Sequence, residues 1–194
     1  MRWDRLTLKV QEAMQAASDL ADSLNHQAIE PEHVLIALLD DKDGLIRQVV
    51  TKAGAEAEAL REDARRVAAR FPIVSGVPGH TMSPRLNRVM QVAWEEAQHL
   101  KDEYLSVEHV LLAFADSAAG ELAAAFKRAG VTKEKLWQAL TEVRGGQRVT
   151  DQAPEDKYQA LERYCRDLTD AAKKGKLDPV IGREDEIRRV QQVL

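Results

Sequence analysis

The run Glu32-His33-Val34-Leu35-Ile36-Ala37-Leu38 returns as Glu108-His109-Val110-Leu111-Leu112-Ala113-Phe114, an offset of 109 − 33 = 76 that holds without a gap across residues 6–144. The same offset pairs Met14-Gln15 with Met90-Gln91, Ala17 with Ala93, Leu24 with Leu100, Asp40 with Asp116 and Gly44 with Gly120. It also pairs Ala53-Gly54 with Ala129-Gly130, Leu60 with Leu136 and Val67 with Val143. About a quarter of the aligned positions in 6–68 and 82–144 are identical, and most others keep their apolar or polar character, which marks a duplicated structural unit. Whatever one copy folds into, the other must fold into as well.

Each copy carries the period of a helix. Leu6, Val10, Ala13/Met14, Ala17, Leu20/Ala21 and Leu24 advance by threes and fours, as do Met82, Leu86, Val89/Met90, Ala93, Ala97 and Leu100, so each set lies on one helical face. Thr7 and Ser83 stand where an N-cap hydroxyl is wanted, and Pro84 is just inside the second start. A short second helix is expected over Pro31–Asp40 and Val107–Asp116, opened by Pro31 in one copy and by Ser106 in the other. Gly44 and Gly120 break the chain before a third helix that stops at Gly54 and Gly130, the position of a left-handed C-terminal glycine. A fourth helix, about Glu56–Arg70 and Lys133–Arg144, completes each copy. The expectation is an all-α fold of two tandem, pseudo-twofold four-helix repeats, 6–70 and 82–144, forming a domain over 1–144.

The segment 71–80 reads as a connector from its Pro and Gly content, with no partner evident for a strand at Ile73-Val74. Residues 145–155, beginning Gly145-Gly146, read as a flexible linker. A segment unrelated to the repeat follows over 156–194: a helix over Asp156–Lys174, a stop at Gly175, an extended or turn-like stretch through Leu177–Gly182 and a last helix from about Glu184. With 44% hydrophobic residues in 194, the chain can bury a sizeable core. Twenty-eight basic against 32 acidic residues are interspersed for a net −4, which argues against nucleic acid, whose phosphates need a basic face. One cysteine, Cys165, excludes an internal disulfide and suits a reducing cytoplasm. Neither a signal peptide nor a membrane-spanning run is expected.

The double Glu-His-Val-Leu signature is followed by Leu161-Glu162-Arg163-Tyr164-Cys165-Arg166-Asp167-Leu168-Thr169 and by Gly175-Lys176-Leu177-Asp178-Pro179-Val180-Ile181-Gly182-Arg183. In this order they resemble the Clp ATPases, over essentially the whole chain. The Tyr164-x-x-Asp167-Leu168-Thr169 arrangement resembles most the bacterial ClpB-type disaggregases, and then the protease-coupled ClpC and ClpA types. The resemblance implies a mobile substrate-engaging N-terminal domain joined to the short helical start of a first AAA+ domain. For the full-length protein it further implies ATP and Mg, a homohexamer, a stress-response role in the cytoplasm and a DnaK-type chaperone as partner. Val180 and Ile181 would then line the adenine site. The Gly-rich phosphate loop is not within these 194 residues: the only Gly-Lys pair, Gly175-Lys176, is followed by Leu177 and has Asp170 where the leading glycine belongs. No catalytic residue, no cofactor and no ATPase activity are therefore expected of this chain, and as a monomer it would bind unfolded or aggregated polypeptides through apolar contacts.

Several residues invite sharper readings. His33 and His109 recur at equivalent positions, but no His-x-x-x-His pair or cysteine companion offers a metal site; a local packing or hydrogen-bonding role in a helix first turn is expected, and a small enzyme built on them is the rival. Glu32 and Glu108 suit the same first turns through the helix dipole. The resemblance implies that Thr7, Asp102 and Glu108 occupy polar surface positions used on aggregated substrates, although capping alone would account for them. Met14 and Met90 are either core filling or an adaptable binding surface. Tyr104, in the charged stretch Lys101-Asp102-Glu103 and with only Ala28 as its counterpart, is expected to be exposed. Cys165 reads as an incidental thiol, and Lys173-Lys174-Gly175-Lys176 as a solvated helix end.

Overall fold

The computed structural model describes residues 3–74, 81–145, 147–155, 168–175 and 182–193. By contact it divides into two units, Met1–Tyr158 and Gln159–Leu194. In the first, the repeat produces α1 (Leu8–Ser23), α2 (Pro31–Asp40), α3 (Leu45–Lys52) and α4 (Ala57–Ala68), and again α5 (Pro84–His99), α6 (Val107–Phe114), α7 (Glu121–Arg128) and α8 (Lys133–Arg144).

The ends of these helices fall where their chemistry sets them. Thr7 Oγ1 accepts from the Val10 amide at 3.4 Å and Ser83 Oγ from the Leu86 amide at 3.0 Å, each satisfying an orphan donor of a helix N-terminus. Gly54 and Gly130 take φ of 92° and 71° just beyond α3 and α7, a conformation a side chain would oppose. The second helix of the second copy stops at Phe114, two residues short of Asp116, because Asp116 Oδ1 accepts from the Ala118 amide at 2.9 Å and caps a 3-10 turn over Ser117–Ala119. α2 and α6 are apolar almost all round. Val34, Leu35, Ile36, Leu38 and Leu39, and in the other copy Val110 through Phe114, are buried, which fits helices enclosed by their neighbours. α1 packs on α2 and α5 on α6, while α3 meets α8 and α4 meets α7. The two copies thus share one hydrophobic core, in which each fully buried Leu or Phe contributes about 1.5–3 kcal/mol.

The copies are interlocked by short extended pairings that the helical reading did not anticipate. β1 (Ala28–Ile29) runs parallel to β2 (Thr81–Met82), and at the pseudo-equivalent place Leu6 bridges Leu105. The Ser83 amide donates to the Ile29 carbonyl and the Thr7 amide to the Leu105 carbonyl, each at 3.0 Å. Each copy's first helix is thereby started against the segment that precedes the other copy's second helix. Ile73 does have a strand partner, forming an antiparallel bridge with His26.

The linker reading of 145–155 does not describe what its residues do here. Gly145 ends α8 with φ 57°, but beyond it the chain returns along the domain. The Glu103 amide donates to the Val149 carbonyl at 2.9 Å and the Leu8 amide to the Gln152 carbonyl at 2.8 Å. Val149 is fully buried, as is most of Glu155. Composition signalled a loop and could not show that one valine and one glutamate would anchor it.

In the second unit the described helices are α9 (Leu168–Lys173) and α10 (Glu184–Val193). Glu184, Asp185 and Glu186 fill the first turn of α10, the end that favours negative charge. The remainder of the helix expected over Asp156–Lys174, together with Cys165, Val180 and Ile181, lies outside the described residues.

Candidate functional site

One face of α5 repeats Asn87, Met90, Gln91, Trp94, Glu95 and Gln98, the i, i+3, i+4 spacing of a single stripe. Beside it stand Leu6 and Leu105, the pair bridged across the copies. Together they line an open groove of about 500 Å³. Its apolar parts are Leu6, Met90, Trp94 and Leu105, and its rim is the amide and carboxylate heads of Asn87, Gln91, Glu95 and Gln98. Leu6, Leu105 and Met90 are buried and Trp94 is half-buried against the core. An apolar floor edged by three amide heads and the Glu95 carboxylate can take up an extended apolar segment and hydrogen-bond its backbone. A smaller cavity of about 160 Å³ lies between α6 and α8, lined in part by Leu112, Trp137 and Leu140.

The repeat explains why sequence reasoning missed most of this groove. In the 76-residue register the α5 stripe corresponds to Gln11, Met14, Gln15, Ser18, Asp19 and Asp22 on α1. Five positions keep their size or polarity, and Trp94 replaces Ser18. That substitution was the available signal.

The residues singled out from sequence fall in three places. Met14 and Met90 both belong to the core, and Met90 also lines the groove. Tyr104 is half-buried rather than exposed. Thr7, Asp102 and Glu108 are not surface positions: the side chains of all three are buried, at 0% exposure. The same segment 147–155 that returns along the domain supplies contacts to the first two, and Arg144 lies against the latter two.

The recurring histidines act in capping. His33 Nδ1 accepts from the Glu30 amide and His109 Nδ1 from the Ser106 amide, both at 2.9 Å. An acceptor at Nδ1 places the proton of the neutral ring on Nε2. His33 Nε2 then donates to His26 Nδ1 at 2.8 Å, and His109 Nε2 to Asp102 Oδ2 at 3.0 Å. His26 and Asp102 are themselves equivalent, since 26 + 76 = 102. Asp102 also accepts from Arg144 Nη2 at 2.8 and 2.9 Å and from the Val149 amide at 2.9 Å. Burial pushes its carboxyl up, but the bonds from His109, Val149 and Arg144 outweigh it and hold Asp102 below the usual carboxylate range. Burial dominates at Glu32 and raises it against the attraction of Arg85, which ion-pairs with it.

Among the described residues no cluster of three His, Cys, Asp or Glu side chains could hold a metal ion, and no helix is long and apolar enough to cross a membrane.

Residues 5–129 match the Clp repeat (R) N-terminal domain. The chain is 42% identical over 198 residues to the chaperone protein ClpB of Bacillus cereus, a match that takes in 100% of this chain and 23% of that protein. It therefore spans about a quarter of the length of such relatives. Its fold is that of the Hsp104 N-terminal domain from Candida albicans, with a TM-score of 0.67 at 23% identity over 77% of this chain and 98% of that one. A ClpV N-domain solved in complex with a VipB peptide superposes with a TM-score of 0.58 at 23% identity, over 71% of this chain and 86% of that one.

Proposed function

The chain belongs to the Clp repeat N-terminal domain family, and on that premise we propose that it is the substrate-engaging N-terminal part of an ATP-driven protein disaggregase. Its groove on α5 takes up exposed apolar segments of unfolded or aggregated polypeptides and presents them to a ring pore formed by the rest of the longer protein. The observation that carries this reading is the groove itself: Trp94 beside an apolar floor of Leu6, Met90 and Leu105, edged by amide heads and the Glu95 carboxylate, a surface tolerant of sequence and suited to weak capture. The whole-chain similarity to ClpB chaperones supports it, as does the peptide bound by a ClpV N-domain of the same fold.

In this reading the chemistry that consumes ATP belongs to the longer, hexameric cytoplasmic protein, which works beside a DnaK-type chaperone under stress. Binding there to Val180 and Ile181, outside the described residues, is part of the same proposal, as is the assignment of 156–194 to the start of the first AAA+ domain. The 194-residue chain itself turns over no ATP, and measurable hydrolysis by the purified chain would overturn that statement. The rival reading is an adaptor- or degron-binding domain of a ClpC or ClpA type, which would form a tight stoichiometric complex with one folded protein.

The test is fluorescence anisotropy of a labelled, permanently unfolded apolar-rich polypeptide. Trp94→Ser, which gives α5 the residue that α1 carries, is expected to weaken binding about tenfold, the equivalent of ~1.4 kcal/mol, with unchanged circular dichroism. Equal affinity of the variant and the parent would remove the groove from the proposal.

A further inference from the structure

The pseudo-twofold relation makes the two interlocked junctions comparable atom by atom, and one of them is completed by a residue from outside the repeat. At the first junction the N-cap of α5, Ser83, donates its hydroxyl to Glu30 Oε2 at 2.8 Å. Glu30 belongs to the repeat, and Arg85 stands beside it with Nε at 3.1 Å from the same oxygen. The residue after it is Pro31, which has no amide hydrogen to satisfy. At the second junction each of these features is changed. The N-cap of α1 is Thr7, but the place of Glu30 is taken by Ser106, that of Pro31 by Val107 and that of Arg85 by Lys9. The junction has therefore lost a carboxylate, gained a buried amide donor, and exchanged its guanidinium for an amine that lies 3.1 Å from Glu12 on the exposed face of α1.

The missing acceptor arrives from far along the chain. Glu155 Oε1 accepts from Thr7 Oγ1 at 2.7 Å and from the Val107 amide at 3.4 Å, so one oxygen answers the N-termini of both α1 and α6. Its residue is 6% exposed, and its second oxygen, Oε2, is buried with no hydrogen-bond partner. An unpartnered carboxylate oxygen in such a place costs far more when charged than when protonated.

We propose that the paired N-termini of α1 and α6 form a carboxyl-binding notch whose ligand is the Glu155 side chain, and that residues 147–155 are a strap which seats there and lifts off. The notch selects a carboxylic acid carried on an extended segment: Thr7 Oγ1 and the Val107 amide bind the acid's carbonyl oxygen, while the Leu8 and Glu103 amides bind the strap's own carbonyls at Gln152 and Val149. Seated, the strap anchors the chain at 155. Lifted, it frees the chain from 145 onward, which adds ten residues of tether with a reach of roughly 18 Å for a flexible segment.

The charges around the notch give the strap a direction with pH. Facing Glu155 are the Thr7 hydroxyl on α1 and, on α6, the Val107 amide and the Glu108 carboxylate, the latter held at 3.4 Å by Arg144 Nε of α8. On the strap's other contact, the Val149 amide donates to Asp102, which Arg144 and His109 also engage. Burial is the main cause, and the nearby Glu108 charge a further one, that pushes the seated Glu155 carboxyl up to about 7 from its ordinary 4.5. A group whose value rises on seating favours the seated form below its free value and loses that preference as pH climbs through the seated value. The Asp102 contact has the opposite sign and fails only in strong acid. Seating is therefore tightest below about 4.5, weakens as pH climbs toward 7, and falls about tenfold between pH 6 and pH 8.

Amide hydrogen exchange on the 194-residue chain tests this. The reporters are the Leu8 and Glu103 amides, which donate to the strap, with the Thr7 amide, bonded to Leu105 within the junction, as the control. The protection factors of Leu8 and Glu103 are expected to drop about tenfold from pH 6 to pH 8 while that of Thr7 holds. Glu155→Gln, a neutral side chain of the same shape, is expected to keep both protected at pH 8 and to abolish the pH dependence. Three results would overturn the proposal: constant protection in the parent chain, the parent's pH dependence persisting in Glu155→Gln, or Leu8 and Glu103 unprotected in that variant at both pH values while Thr7 stays protected.

Discussion

The first junction is self-contained and the second is not. Around β1 and β2 the repeat provides its own acceptor, Glu30, and its own cation, Arg85, which also ion-pairs with the buried Glu32. Around Leu6 and Leu105 the corresponding residues are Ser106 and Lys9, and buried Glu108 is partnered instead by Arg144 from the end of α8. A duplication gives two identical sites only at the outset. Once one copy closes its junction internally, the other is free to take a ligand, and here both the peptide-sized groove and the strap lie on that second side. The lesson is that in a pseudo-symmetric domain the departures from symmetry point to function more directly than the symmetry does.

The comparison is broken most severely by removing the first junction's cation. Arg85→Met leaves the fully buried Glu32 carboxylate without its ion partner, and breaking a buried pair in this way costs about 3–5 kcal/mol. Lys9→Met, at the equivalent position on an exposed helix face, is expected to change stability by no more than about 0.5 kcal/mol. Urea unfolding of the two variants measures both, and equal effects would mean that the junctions are not chemically distinct.

A smaller effect is expected where the histidines find their second partners. Asp102→Asn removes the charge that accepts from Arg144, His109 and the Val149 amide, at about 1.5–3 kcal/mol for a bond to a charged group. Because the folded Asp102 carboxyl lies below its ordinary value, its contribution is present above 3.8 and is lost as pH falls through the folded value. Parent and variant should therefore converge in acid and separate toward neutrality in a pH series of unfolding curves. His26→Ala, at the equivalent place, removes ring contacts with His33 and Phe71 but no carboxylate, and is expected to cost less than Asp102→Asn near neutrality. A gap between parent and Asp102→Asn that stays constant down to pH 2 would remove the charge from the explanation.

Much of the domain was legible because helix ends obey local chemistry. The N-caps Thr7 and Ser83, the Pro31 start and the glycines at 54 and 130 set their boundaries within a few residues, and the 76-residue offset supplied the architecture. β1 and β2 were not legible: two residues each, they exist only because the other copy is there to pair with. Thr7, Asp102 and Glu108 were placed at the surface by the family resemblance, and what covers the first two is a segment whose Gly-Gly start and polar composition describe a free linker, while Arg144 lies against Glu108. Two contrasts present in the sequence, which those expectations did not draw on, correspond to the outcome. Trp94 against Ser18 marked the groove, and Val107 with Ser106 against Pro31 with Glu30 marked a junction short of an acceptor.

The finest test of the comparison uses the turn that closes the first helix of each copy. Asn25 and Lys101 occupy it with φ of 54° and 58°, the two non-glycine residues with positive φ among those described. In this left-handed region an L side chain meets its own backbone, at a cost that Asn reduces through local hydrogen bonding and Lys does not. The turn is kept in both copies, since the Asn25 amide donates to the Asp22 carbonyl and the Lys101 amide to the Gln98 carbonyl, each at 3.0 Å. Lys101→Gly is thus expected to stabilise the domain by about 0.5–1 kcal/mol and Asn25→Gly by only a few tenths. Thermal unfolding should rank them in that order. The reverse order would show that Lys101 contributes something its backbone conformation does not reveal, and its carbonyl, which accepts from Arg148 at the root of the strap, is where that contribution would lie.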